Sequence, residues 1–226
     1  MQATACEALC LFNSEFWAAI VGAVVGGVIA YFVQLRALRE ARVARKEARQ
    51  DENKALAYSL FFKMLSVWNN LAHLKNHVDE ARALQVSAGV DRLSTVLRPL
   101  ANLTDPVRFE PGEMSMLLGL GEADTFNEVM SQDAIHNSIL PVWSLYATKR
   151  DQLHDAAHSR GLDMTSGIGT LAFEAGSPAE LLFYEVTELA VVLAERADKD
   201  EAQARNARDL LLRTLNQKLG LNLNFT

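Results

Sequence analysis

Cysteine is nearly missing from this sequence. Cys6 and Cys10 are the only two, and both precede a long apolar run. Everything after them is therefore closed to a disulfide framework or a cysteine-ligated zinc site. The two thiols are compatible with a disulfide between chains if they face an oxidising compartment; the plainer reading is two ordinary thiols. Apolar/polar alternation of period two is also missing over any useful length, which excludes a sheet protein and leaves an all-α fold. A basic surplus is missing too. The net charge is −6, and seven of the 22 basic residues (Arg36, Arg39, Arg42, Arg45, Lys46, Arg49, Lys54) crowd into one short stretch, so the rest is more acidic still. Phosphate neutralisation supplies most nucleic-acid affinity, so no nucleic-acid partner is expected.

Catalytic signatures are equally scarce. The chain has no G-x-S-x-G, no H-E-x-x-H and no phosphate-loop sequence. Gly119-x-Gly121 and Gly167-x-Gly169 are lone elements that follow no strand, and they read as turns.

What is present is a membrane segment. Phe16 to Val33 reads FWAAIVGAVVGGVIAYFV, without a charge or a proline, and Gln34 and Leu35 extend it to Arg36. A span needs roughly 20 apolar residues at about 1.5 Å rise each. Phe16, Trp17, Tyr31 and Phe32 stand near the two ends, where aromatic rings suit the interfaces. Val28-x-Ala30 loosely fits a signal-peptidase site, but a signal peptide wants basic residues before its apolar core. Here Glu7 and Glu15 precede it and the positive charges follow. That order predicts an external N-terminus and a cytoplasmic C-terminal domain, and the short anchor with its basic flank points to a bacterial inner membrane. Within the span, Ala18, Gly22, Gly26 and Ala30 recur every fourth residue, with Ala19, Ala23 and Gly27 beside them. Such ridges let two helices approach closely in lipid, which predicts a homo-oligomer.

The expected organisation is a short external tail (1–15), a transmembrane helix (16–35), a basic juxtamembrane helical stalk (36–54) and an acidic helical cytoplasmic domain (55–226). The stalk is rich in Ala, Arg and Glu, which favour helix; Arg36, Arg39, Arg42, Arg45, Lys46 and Arg49 either draw anionic lipid head groups or only fix topology. A seam of Leu60, Met64, Val67, Leu71, Leu74, Val78 and Ala81 follows at four-three spacing, widened by Phe61, Leu65 and Trp68. One helix is thus predicted from about Phe16 to Leu84, with a possible hinge near Gln50–Asn53. Beyond a turn at Ser87–Gly89, a short helix is predicted from Val90, with Leu93, Val96, Leu97 and Leu100 apolar. A loop over Leu103–Gly112, short helices over Glu113–Leu118 and Glu122–Met130, and a long helix from Asp133, which Pro141 should kink or truly start, come next. Gly161 stops that helix. Residues 161–177 read as irregular, with Leu171–Phe173 briefly extended. Ser177-Pro178-Ala179-Glu180 is a capping box, and the helix it opens runs to Gly220 in one piece or two. An antiparallel helical bundle is the natural architecture.

Among candidate ligands, His73/His77 and His154/His158 are spaced to present two imidazoles on one helix face, the second pair beside Asp151 and Asp155. His154-Asp155 resembles the central dipeptide of the helical HD phosphohydrolases. That resemblance implies a metal-dependent hydrolase with His136 or His77 as a further ligand upstream and Asp198 or Asp209 downstream. Trp68, Trp143 and Tyr146 read as core aromatics. The leading expectation is a membrane-tethered helical interaction and oligomerisation module with the bilayer and an unidentified protein as partners, and with no cofactor. The alternatives are a membrane-anchored hydrolase holding a divalent metal, and a membrane-acting toxin or defence effector.

Overall fold

The computed structural model describes residues 14–100, 103–158 and 176–223. The chain divides into two compact units, Met1–Glu52 and Asn53–Thr226. Among the described residues all regular structure is helical: α1 (Ser14–Ala88), a 3-10 turn (Leu93–Thr95), α2 (Pro111–Gly119), α3 (Ala123–His158) and α4 (Pro178–Leu219). The readings made for the N-terminal tail with its cysteines, for Gly161, for Gly167-x-Gly169 and for Leu171–Phe173 lie outside the described residues.

The first unit contains the N-terminal part of α1. No proline interrupts it, and Arg36 Nε donates to Glu40 Oε1 at 2.9 Å along its surface. From Trp17 to Glu52 every side chain is exposed except that of Leu35, which is half-covered. α1 continues without a break through Gln50–Asn53, where a hinge was conceivable, and the boundary between the two units falls there.

The second unit is built on the predicted seam. Leu60, Met64, Val67, Leu71, Leu74, Val78 and Ala81 are all buried, as is Phe61, while Leu65 and Trp68 pack at the margin. They share one core with Met114 and Leu117 of α2, Val129, Ile139, Trp143 and Tyr146 of α3, and Val186, Leu193, Leu211 and Leu215 of α4. Polar contacts set the direction in which α3 and α4 run against each other. Lys218 pairs with Glu122 at 2.7 Å, Thr214 with Thr125 at 3.0 Å, Arg196 with Ser138 at 2.8 Å and Glu185 with Lys149 at 2.7 Å. Number rises along one helix as it falls along the other. The same inversion relates α4 to α1, through Trp68 with Glu201 and Arg82 with Asp198.

α4 is one helix across its charged middle. Ser177 Oγ accepts from the Glu180 amide at 3.3 Å and Gly220 closes the helix at φ +63°, a left-handed conformation that glycine adopts without strain. Between them Ala190, Ala194, Ala197, Ala204 and Ala207 are buried. Small side chains thus take the core positions of this stretch where the leucine spacing lapses.

Three expectations are corrected. The helix from Val90 is only the 3-10 turn at Leu93–Thr95. Side chains of α3 take the carbonyls that a helix would have used internally. Tyr146 Oη donates to Leu97 O at 2.6 Å, and the Arg150 guanidinium donates to the carbonyls of Ser94, Leu97 and Thr95. The short helix expected at Glu113 begins at Pro111 instead, because Glu113 reaches back to accept from the Glu110 amide at 2.7 Å. The two helices expected around Ser131 are one, and α3 also runs through Pro141. Pro141 stands on the exposed side, where water can meet the carbonyl that its missing N–H leaves unbonded.

Candidate functional site

The most unusual surface lies on the first unit. Among the described residues α1 is the one helix long and apolar enough to cross a membrane, and none of its apolar window is buried. Trp17, Val21, Val24, Val25, Val28, Ile29, Tyr31, Phe32 and Val33 are each about half exposed or more. Fully covering a large apolar side chain is worth about 1.5–3 kcal/mol, and a helix left in water forgoes part of that at each of these positions. Ala18, Gly22, Gly26 and Ala30, with Ala19, Ala23 and Gly27, occupy adjoining ridges of the same segment, all exposed. A Cβ built on Gly22, Gly26 or Gly27 meets nothing within 4 Å beyond the helix's own nearby backbone. No packing among the described residues requires glycine at these positions. The basic residues Arg36, Arg39, Arg42, Arg45, Lys46 and Arg49 follow immediately, all exposed.

The histidines are dispersed. His73 is exposed, whereas His77 lies 2.7 Å from the Arg98 carbonyl and packs its ring against Trp143 at 5.9 Å. His154 is half-buried, and Asp151 and Asp155 are exposed. The side chain of His158 lies outside the described residues. Of the residues that the resemblance to HD phosphohydrolases would add, Asp198 is paired with Arg82 at 2.7 Å and Asp209 with Arg208 at 2.7 Å. No group of three or more His, Cys, Asp or Glu side chains suited to a metal ion occurs among the described residues.

His136 is held differently. It is fully buried on α3. Asn70 Nδ2 of α1 lies 3.1 Å from its Nε2, and Asn137 Oδ1 lies 3.2 Å from its Nδ1. Asn137 Nδ2 in turn donates to Val107 O at 2.9 Å and Asp133 Oδ1 at 3.1 Å. The amide orientations place the proton of a neutral ring on Nδ1. Burial lowers the imidazole pKa below its ordinary value, against the opposing pull of Asn137 and the Asp133 carboxylate. The ring therefore bridges α1 and α3 in its neutral form and ties the 103–110 segment to α3 through Asn137.

Three carboxylates buried in the second unit escaped sequence reasoning. Glu113 is 1% exposed and accepts from Ser59 Oγ at 2.6 Å and from Lys63 Nζ at 2.8 Å, joining α2 to α1. Burial pushes its carboxyl up, but the hydrogen bonds from Lys63, Ser59 and the Glu110 amide outweigh it and hold it below the usual range. Glu201 accepts from Trp68 Nε1 at 3.0 Å and from Arg205 at 2.7 Å, while Arg208 lies 4.0 Å over the Trp68 ring. Asp200 is raised by burial against its Arg196 partner. The signal available in sequence was the interruption of apolar spacing by Glu113, Asp200 and Glu201 at core-facing positions. Each of these groups is engaged by partners of its own chain.

An open groove of about 760 Å³ between α3 and α4 is lined by Glu128, Gln203, Asn206, Asp209, Leu210, Leu212 and Arg213. Its lining holds no Ser, Thr, Cys or His that would pair a nucleophile with a base. Comparison with known families, with curated proteins and with solved structures gives no match in any of the three.

Proposed function

We propose that this chain is a membrane-tethered α-helical interaction and oligomerisation module. In this reading Phe16–Leu35 crosses the bilayer once, with the N-terminus outside. The acidic second unit is an antiparallel helical bundle held at the cytoplasmic face, as expected for a bacterial inner-membrane protein. The carrying observation is the uncharged helical run whose side chains stand exposed, followed directly by arginines. Lipid supplies the cover that the described residues do not, and the arginine flank favours retention on the cytoplasmic side. Glycines against which no described residue packs support close approach between spans of two copies. Tethering raises the bundle's effective concentration for protein partners at the same surface. Glu113, Asp200 and Glu201 of the second unit are already engaged by groups of the same chain, which supports an interaction module over a hydrolase.

The test is fractionation with topology mapping on cells making the full chain. The protein should resist alkaline carbonate, and a tag after Thr226 should be reached by protease only in inverted vesicles. Recovery in the aqueous fraction without detergent refutes the tether, and digestion of the tag in intact spheroplasts refutes the orientation. Mass measurement of the detergent-solubilised particle should return more than one copy; a single copy refutes oligomerisation.

A further inference from the structure

The helical stretch Gln34–Ala48 sorts its charges by face, which neither a spacer nor a topology signal requires. Written in heptads, Gln34, Ala37, Ala41, Ala44 and Ala48 fall on one uncharged seam at alternating steps of three and four. Glu40 and Glu47 lie along one flank of that seam. Arg45 lies along the other, with Arg42 and Arg49 behind it. All these side chains are exposed. Gln34, Ala37, Leu38 and Ala41 also wall a shallow, mainly apolar hollow. Four residues at this spacing form the hole that receives a side chain from a facing helix in a coiled coil.

We propose that Gln34–Ala48 binds the same segment of a second copy of this chain, in a parallel two-stranded coil. The occupant is read from the charges. In a parallel two-fold pair the acidic flank of each copy faces the basic flank of the other. Glu40 then meets the partner's Arg45 twice over, and Val33 meets the partner's Leu38. Antiparallel pairing would set acid against acid and arginine against arginine. A lipid surface would draw the arginines but repel Glu47 beside them, and an unrelated acidic helix would leave Glu40 and Glu47 opposed by like charge. The alanine seam allows an interaxial distance near the lower limit of about 8 Å for packed helices. The pattern ends by itself: Asp51 takes the next seam position and Glu52 would face Glu47. Glu40 keeps its exposed intrahelical contact to Arg36, with side chains 84% and 67% exposed for Arg36 and Glu40, and can serve both arginines.

This interface rests on the self-association part of the proposed function. The test uses the full chain with Cys6→Ser and Cys10→Ser, reconstituted in liposomes, with one new cysteine at a time and mild oxidation. Ala41→Cys and Ala44→Cys should form disulfide-linked dimers several-fold more readily than Arg39→Cys and Lys46→Cys, which lie on the opposite face. Adding Arg45→Glu to Ala44→Cys should cut the yield several-fold, and adding Glu40→Arg as well should restore it. Equal yields on both faces, or failure of the charge exchange to restore the yield, overturn the interface. If no position cross-links while the chain still resists carbonate, the coil fails and the tether stands. Seam-selective cross-linking of a chain that carbonate removes supports the coil and sinks the tether.

Discussion

Placing Val24→Arg and Val28→Arg together in the apolar part of α1 should release the protein from the membrane, whereas either change alone should only weaken its retention. Both side chains are exposed, at 60% and 49%, and neither is a member of the buried core. Phe16, Ile20, Val21, Val24, Val25, Val28, Ile29, Phe32 and Val33 each contribute about −0.3 to −0.6 kcal/mol to insertion, together about −3 to −5 kcal/mol, while arginine near the centre costs about +2.5 to +3.5 kcal/mol. One exchange thus brings the balance near zero, and two leave it unfavourable by roughly 2–4 kcal/mol. The assay is the fraction of full-length protein extracted by alkaline carbonate, with Leu38→Arg, beyond the span, as the control that should stay put. Thermal unfolding of the purified variants should superimpose on that of the unaltered protein, because the core is untouched. Retention of the double variant at the original level would refute the reasoning, since no helix carrying two central arginines should hold in lipid on these terms.

Leu71→Ala, which empties a fully buried position on α1, should destabilise the second unit by about 2–5 kcal/mol, read as a lowered midpoint in urea at unchanged slope. Glu113→Ala strips Ser59, Lys63 and the Glu110 amide of one acceptor; Lys63 can regain water, so the expected loss is about 1.5–3 kcal/mol, with Glu113→Gln milder in the same melt. The folded pKa of His136 is depressed, so below the ordinary imidazole value of about 6.5 the unfolded chain binds a proton that the folded chain refuses. Stability should therefore fall as pH drops from about 7 toward the folded pKa, by up to about 1.4 kcal/mol per pH unit from this group. His136→Gln should flatten that part of the profile in denaturant titrations from pH 7 to 5, and an unchanged slope would show that the ring is not the responsive group.

The strongest features were legible because they are local. Leu60 to Ala81 could be placed from spacing alone, since a helix that buries one stripe must repeat it every three and four residues. The cap at Ser177-Pro178-Ala179-Glu180 fixes its own helix start through atoms within four residues. Phe16–Val33 carries no charge on any side, so no knowledge of neighbours is needed to recognise a helix apolar enough to cross a membrane. The Val90 helix was misread because its apolar residues are real while its backbone partners lie elsewhere: Leu97 is buried as the spacing implied, yet its carbonyl belongs to Tyr146 and Arg150 on α3. The break predicted near Ser131 failed for the converse reason, since nothing there stops a helix. His73 and His77 have the spacing for a shared ligand, but spacing says nothing of whether His77 is already engaged, and a carbonyl and an indole ring from other segments engage it.

By itself the sequence determined that the regular structure of the described residues is helical, that one uncharged helix precedes a cluster of arginines, and which stripe of α1 faces the core, because these follow from composition and from periodicity within single elements. Only the tertiary structure decided that His136, Glu113, Asp200 and Glu201 are buried, since a polar side chain can leave water only where residues distant in sequence arrive to satisfy it. It alone decided that alanines, not leucines, line the middle of α4, because how closely two helices approach depends on both surfaces at once.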